Sequence, residues 1–230
     1  AIVNFLQLAP EEKITSALPL SELGDYQFLV MVTARGFIKK VALADFANVR
    51  RSGLIAIKLK RDDELEWVKP STGKDTVTLV TAKGQSIRFK ESEVRPMGRA
   101  ASGVRGVRLK GGDVVVGMDV VGSALAGVGQ LLIVMAHGFG KRSSLGQYKV
   151  QGRGGSGIKT ASVTVKTGPI VSAMVVNGKA TEEDLIIISS KGQVIRLPIA
   201  SVSTLGRATQ GVRLMRFKEK GDQVASVTFV

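Results

Sequence analysis

Basic side chains recur at fixed distances from four glycines in this chain: Gly36, Gly84, Gly138 and Gly192. Four residues after each glycine stand Lys40, Arg88, Arg142 and Arg196. Fifteen residues after it stand Arg51, Arg99, Arg153 and Arg207. A third set further along is Lys58, Arg108 and Arg216, with Arg105, Lys159 and Arg213 nearby. Ammonium and guanidinium groups bind phosphate oxygens, so these sets indicate recognition of a polyanion.

One loop in the third repeat combines a basic residue with several glycines. It runs Gln151-Gly152-Arg153-Gly154-Gly155-Ser156-Gly157. Glycines let backbone N–H groups approach a phosphate closely, and an arginine adds a charged fork that matches phosphate oxygens. We therefore predict that Gln151, Arg153, Gly154, Gly155 and Gly157 contact phosphates of this polyanion and that the loop contributes to bending it.

The overall charge points to the same partner. The formal net charge is +14 and the isoelectric point is near 10.2, well beyond what solubility requires. No Asp or Glu occurs between Asp119 and Glu182, where Lys141 and Arg142 also fall. Without a basic amphipathic helix or a lipidation motif, double-stranded DNA is favoured over a membrane surface. We expect Lys141 and Lys159 in this tract to contact it.

Several other functions lack the residues they need. The chain has no cysteine and a single histidine, His137, so neither a thiolate metal site nor a cluster of histidine ligands is possible. No catalytic set, no metal site and no cofactor is predicted for this fragment. Aromatic residues make up 5% of the chain, too few for a platform that stacks single-stranded bases. A cytoplasmic location is the simplest expectation.

The four glycines also define the elements that must position these side chains. Each follows five to seven mostly β-branched or large apolar residues, which is strand length rather than helix length. The glycine supplies the positive φ that a tight hairpin needs. A short basic strand and a closing strand follow, so each repeat of about 50 residues contributes about four strands, the number in a propeller blade.

We therefore predict an all-β fold, a propeller-like disc or arc of about four four-stranded antiparallel blades. The repeats span about 12–65, 66–118, 119–173 and 174–230 within one domain over 1–230. A strand in Ala1–Leu8 would belong to a preceding blade covering residues 1–11, which makes the chain a fragment. In such a disc the registered basic residues would form a belt. Alternatively, they guard strand edges, a common use of Lys and Arg.

Longer phrases resemble one known family. They include Val41–Phe46, Ile55–Leu59, Arg88–Ser92, Gly103–Leu109 and Gly206–Val212. Essentially the whole chain resembles the DNA-wrapping β-pinwheel C-terminal domain of the DNA gyrase A subunit. The resemblance implies a non-catalytic domain that bends or wraps duplex DNA. Its implied partners are the B subunit together with the rest of the A subunit in an A2B2 enzyme, whose ATP-dependent negative supercoiling it would support.

The sequence departs from that family at its signature box of Gln, basic, Arg, Gly, Gly, Lys, Gly. The family usually carries the box in the first of six blades, whereas the similar loop here lies in the third repeat, with Gly152 and Ser156 in place of two basic residues. Two alternatives therefore stay open. One is that the chain is the related C-terminal domain of a topoisomerase IV A subunit. The other is that it is a propeller that binds proteins.

Overall fold

A computed structural model describes residues 14–18, 24–47, 53–125, 127–179 and 183–230. The strand predicted within Ala1–Leu8 and the predicted contact residue Arg51 lie outside these ranges. Across the described residues, no helix has the length and apolar character needed to cross a bilayer. That part of the chain also contains no group of three or more His, Asp or Glu side chains arranged to hold a metal ion.

The described strands form three four-stranded sheets and one three-stranded sheet, all antiparallel within their named pairs. In chain order the strands are β1 (Phe28–Thr33), β2 (Phe37–Ala42), β3 (Leu65–Ser71), β4 (Thr76–Thr81), β5 (Gln85–Lys90), β6 (Val104–Arg105), β7 (Val115–Val121), β8 (Gly129–Met135), β9 (Phe139–Ser144), β10 (Ile158–Lys159), β11 (Ile170–Asn177), β12 (Asp184–Ser189), β13 (Val194–Pro198), β14 (Val212–Arg213) and β15 (Val224–Phe229). Short 3₁₀ turns cover Leu43–Phe46, Glu91–Glu93, Ser123–Leu125, Leu145–Gln147 and Ile199–Ser201.

Each sheet is built around one of the predicted hairpins. The strand orders are β3-β1-β2-β6, β10-β5-β4-β7, β11-β8-β9-β14 and β13-β12-β15. The hairpin glycines Gly36, Gly84, Gly138 and Gly192 all have φ between 77° and 84°. The prediction of positive-φ glycine hairpins is therefore confirmed.

One part of the predicted topology is wrong. The repeat pattern predicts that the short basic strand pairs within the blade of its own repeat, but β6, β10 and β14 each pair with the hairpin of the preceding repeat. The first sheet thus combines residues 28–71 with 104–105. The reason is that the backbone following each of these short strands bonds to the preceding hairpin glycine, as in Gly106 N to Gly36 O, Thr160 N to Gly84 O and Leu214 N to Gly138 O, each at 2.8 Å.

The hydrophobic core lies between consecutive sheets. Val32 and Ile38 of the first sheet share one cluster with Leu79 and Phe89 of the second. Two further clusters join the second sheet to the third and the third to the fourth. The closing strands β3, β7, β11 and β15 contact one another in sequence, so the opposite edges, which carry β6, β10 and β14, lie away from this contact.

A buried carboxylate links the closing strands. Asp119 on β7 pairs with the Lys69 ammonium on β3 and accepts a hydrogen bond from Val175 N on β11. Burial raises the pKa of Asp119, and the Lys69 charge opposes that shift. Three sheets are thereby joined through one side chain.

Candidate nucleic-acid interface

Of the predicted contact residues within the described ranges, seven are exposed. They are Lys58, Arg105, Arg108, Lys159, Arg196, Arg213 and Arg216. Among them, Arg105, Lys159 and Arg213 are the second residues of β6, β10 and β14. We call these three the outer basic row. Because all three occupy the same position on the edge strand of consecutive sheets, they bring equivalent cations to one side of the fold.

Aromatic rings hold two members of the outer basic row. The Arg105 guanidinium lies 5.7 Å from the centre of the Phe37 ring, and that of Arg213 lies 4.6 Å from the Phe139 ring. Phe37 and Phe139 are also the backbone pairing partners of these arginines. Such contacts restrict the motion of the arginine side chains before DNA binds, so less conformational entropy is lost when a phosphate is bound.

The set four residues after each glycine is largely internal, which corrects its predicted placement. Lys40 and Arg142 are buried, and Arg88 is half-buried. Each of these side chains reaches the 3₁₀ turn of the next repeat: Lys40 Nζ donates to Glu91 O at 3.2 Å, Arg88 Nη1 to Leu145 O at 3.3 Å, and Arg142 Nη2 to Ala200 O at 3.0 Å. Burial lowers the pKa of Arg88 and of Arg142. These cations fasten neighbouring repeats, and burial removes Lys40 and Arg142 from the surface.

Arg196 is the exception in that set. It is exposed, and its Nε donates to Asp184 Oδ2 at 2.5 Å. The structure therefore keeps Arg196 at the surface but pairs it with a carboxylate.

The described members of the set fifteen residues after each glycine, Arg99, Arg153 and Arg207, lie in loops that contact the preceding repeat. Arg153 Nε donates to Glu93 O at 2.9 Å, and its Nη1 donates to Arg105 O at 3.2 Å. Arg207 Nη1 donates to Lys159 O at 2.5 Å. Arg99, Arg153 and Arg207 are all half-buried. Two of these arginines thus touch the backbone of the outer basic row and link its members from repeat to repeat.

The glycine-rich loop uses much of its own hydrogen-bonding capacity. Gly154 N donates to Gly106 O at 2.7 Å, so this glycine N–H does not approach a phosphate as predicted. Arg153 N donates to Glu93 Oε2 at 2.9 Å. Gln151 N donates to Arg88 O at 2.8 Å. Gly157 lies where an added Cβ would stand 2.3 Å from Ser86 O. Close packing on the second sheet therefore accounts for Gly157, whereas an added Cβ at Gly152 or Gly155 would meet only ordinary contacts at 3.7 Å or more.

Lys141 is the third buried cation among the predicted contacts. Its Nζ donates to Gly206 O at 2.7 Å, Arg207 O at 2.6 Å and Thr209 Oγ1 at 3.2 Å. Burial, together with the charge of Arg207, lowers the pKa of Lys141 to about 8. Sequence reasoning missed a matching lysine, Lys39, which is also buried and whose pKa burial lowers. Its place three residues after Gly36, matching Lys141 after Gly138, was the available signal.

The lowered pKa of Lys141 predicts a pH dependence of stability. Between about pH 8 and pH 10.5 the unfolded chain binds more protons at this residue than the folded chain, so its contribution to the unfolding free energy rises with pH. Relative to Lys141→Met, the unaltered chain should gain stability across this window. Denaturant midpoints of both proteins over a pH series measure the difference, which cancels the titration of other lysines. Parallel midpoints would contradict the prediction.

The fold and the outer basic row define a β-pinwheel, a propeller-like repeat protein whose sheets exchange a short strand. The chain matches the family described as DNA gyrase C-terminal domain, beta-propeller, over residues 27–72, 75–122, 130–177 and 183–230. This chain therefore belongs to the DNA gyrase C-terminal domain family. Each matched segment holds one hairpin and its closing strand.

Individual relatives agree with this family. The chain is 41% identical over 226 residues to the DNA gyrase A subunit of Staphylococcus aureus strain NCTC 8325. This alignment covers 98% of this chain and 25% of the relative. It thus spans about a quarter of the length of the curated relatives it matches. A solved DNA gyrase A C-terminal domain superposes with a TM-score of 0.83 at 26% identity, covering 98% of this chain and 73% of that one. The solved C-terminal domain of a DNA topoisomerase IV superposes with a TM-score of 0.89 at 25% identity. The match covers 100% of this chain and 69% of that one.

Proposed function

We propose that this chain is a non-catalytic domain that binds the backbone of duplex DNA along the outer basic row and bends the duplex there. The observation that carries the proposal is the repetition of Arg105, Lys159 and Arg213 at equivalent, exposed positions of consecutive edge strands. Cations repeated in this way match a partner whose charges also repeat. The phosphate backbone has that property and carries no sequence information of its own.

The neighbouring exposed residues extend this interface. Arg108 and Arg216 each lie three residues after a member of the outer basic row, and Lys58 is the exposed member of the same predicted set in the first repeat. Arg99, Arg153 and Arg207 lie in the loops beside the row and are half-buried. Lys40, Lys141 and Arg142 are left out of the proposed contact surface because they are buried.

Membership of the gyrase family supports a place for this domain in a larger enzyme. We propose that it is part of a gyrase A subunit, which works in the bacterial cytoplasm with the B subunit in an A2B2 assembly. There it would support ATP-dependent negative supercoiling by holding a bent DNA segment. The bend costs elastic energy, and contacts repeated along the edge strands offset that cost.

The salt dependence of binding tests the proposal directly. Each phosphate that a cation neutralises contributes roughly 0.9 to the negative slope of log K against log salt. The unaltered chain should therefore bind short duplexes of unrelated sequence with similar affinity and a steep slope. Replacing Arg105, Lys159 and Arg213 together by alanine should reduce the slope by about 2–3 and weaken binding at low salt by about 100-fold or more.

A triple variant with the same change in charge is the control. Lys74, Lys179 and Lys220 are exposed and lie outside all three registered sets. Their replacement by alanine should leave most of the affinity and slope. If both triple variants weaken binding equally, the charge acts only in bulk and the proposed row has no special role. A flat salt dependence of the unaltered chain would instead favour a propeller that binds proteins.

The topoisomerase IV alternative is supported by the superposition of this chain on the C-terminal domain of a DNA topoisomerase IV, with a TM-score of 0.89. Both assignments predict DNA binding, so the bend must separate them. End-to-end energy transfer on a short duplex should rise strongly when a gyrase-type domain binds. Tight binding without a shortened end-to-end distance would favour the alternative.

A further inference from the structure

Two fully buried lysines reach the loops that carry Arg99 and Arg207. The Lys141 ammonium donates to three atoms of the loop following Leu205, namely the carbonyl oxygens of Gly206 and Arg207 and the hydroxyl of Thr209. The Lys39 ammonium donates to the carbonyl oxygen of Arg99 and, at 2.7 Å, to that of Ala56. Each lysine thus reaches from one hairpin to the arginine loop of the next repeat.

The same position elsewhere shows that the fold does not need an ammonium there. Ile87 stands three residues after Gly84, and its side chain is fully buried. The loop above it, with Arg153, is held instead by the contacts with Glu93 and Gly106. An apolar side chain therefore fills this site in one repeat, whereas two other repeats bury a charge at a cost in desolvation.

The charge of Lys141 has no carboxylate partner among the described residues. Its three acceptors are neutral oxygens, and the nearby charged group that affects it is the like-charged Arg207. Tyr148, which also lies near Arg207, is buried, and that burial raises its pKa. Two cations in contact through one loop repel each other, and an anion bound at that loop relieves the repulsion.

We propose that Lys39 and Lys141 are positioning residues of the DNA interface. Each ammonium fixes the backbone of a Gly-Arg-Ala loop, Gly98–Ala100 or Gly206–Ala208, so that the loop arginine is presented to a phosphate above a buried positive charge. This inference rests on the proposed DNA-binding function. It assigns these two lysines a role in binding although neither reaches the surface.

Crossed double-mutant cycles test the inference, because the two lysine and arginine pairs serve as controls for each other. Duplex affinity is titrated for Lys141→Met, Arg207→Ala and their double variant, and likewise for Lys39→Met, Arg99→Ala and theirs. The crossed doubles combine Lys141→Met with Arg99→Ala and Lys39→Met with Arg207→Ala. The exposed Lys179→Met supplies a matched loss of one charge.

Each lysine variant should weaken DNA binding by about 3–10-fold, the scale of one ordinary hydrogen bond, because the lysine acts on DNA only through the loop. The matched doubles should bind within about twofold of their arginine single variants, whereas the crossed doubles should show the product of both losses. Lys179→Met should weaken binding by less than about twofold. A role in stability alone would lower the unfolding midpoint without this loop-specific coupling.

Lysine variants that bind DNA like Lys179→Met would overturn the inference, as would effects that multiply in every pair. Lys141→Ile is the second variant, since Ile87 fills the equivalent site. Should both Lys141 variants unfold, the Lys39 and Arg99 pair decides the matter alone. If the unaltered chain binds no duplex, the proposed function fails together with this inference. Steep, salt-dependent binding without coupling would overturn the inference alone.

Discussion

Replacing Glu91 with alanine should destabilise the fold by about 3–5 kcal/mol, because it leaves a buried cation without its partner. Glu91 is fully buried. Its carboxylate accepts hydrogen bonds from Lys40 Nζ at 3.1 Å, Ser71 Oγ at 2.9 Å, Gly73 N at 3.1 Å and Asp75 N at 3.2 Å. These donors come from the first sheet and from the connection to the second. Loss of Glu91 therefore affects both sheets.

Fluorescence can follow this unfolding, because the one tryptophan, Trp67, lies on β3 of the first sheet. The denaturant midpoint of Glu91→Ala should fall well below that of Glu64→Ala, which removes an exposed carboxylate and should change the unfolding free energy by less than about 0.5 kcal/mol. The double variant Lys40→Met with Glu91→Leu should be more stable than Glu91→Leu alone and should recover much of the lost unfolding free energy, because no unpaired charge then remains buried. Equal midpoints for the Glu91 and Glu64 single variants would show that the pair contributes nothing.

Gly157→Ala should cost about 3 kcal/mol or more, because it combines a left-handed backbone with a collision. Gly157 has φ of 72°, and its added Cβ would lie 2.3 Å from Ser86 O. The clash would push β10 away from β5, the strand with which it pairs. Lys159 of the outer basic row would be displaced at the same time, so DNA affinity should fall together with stability.

Gly53 provides the matched control for Gly157. It lies in the loop after the first hairpin and also has a positive φ, of 75°, but an added Cβ there would meet no atom within 4 Å. Gly53→Ala should therefore lower the unfolding free energy by about 1 kcal/mol, the cost of holding an alanine in a left-handed backbone conformation. Thermal unfolding of the two variants separates conformational strain from strand docking. Similar losses in both would mean that the exchanged strand adds little stability.

Local features of the sequence were sufficient to predict the hairpins. Apolar runs of strand length that end before a glycine have few stable alternatives, and Gly36, Gly84, Gly138 and Gly192 all adopt positive φ. The repetition of these hairpins indicated the propeller-like fold, and longer phrases indicated the gyrase family that the comparisons confirm. Each inference depended on residues close together in the chain.

The candidate site was harder to predict because register does not reveal exposure. Lys40, Arg88 and Arg142 share a position after the glycine, yet their side chains bind oxygens on residues 51 to 60 positions away. A long cationic side chain can satisfy its charge on a neighbouring repeat as readily as on a phosphate. Only the tertiary structure shows which of these two acceptors is within reach.

The sequence by itself determined the four hairpins, the positive charge and the family, because turn chemistry, composition and local phrases do not depend on distant residues. The tertiary structure alone decided which sheet each short strand joins and which cations remain outside. Arg105, Lys159 and Arg213 stay exposed because exchange places them at the outer edge of the preceding sheet. Lys39 and Lys141 become buried because the next repeat folds over them.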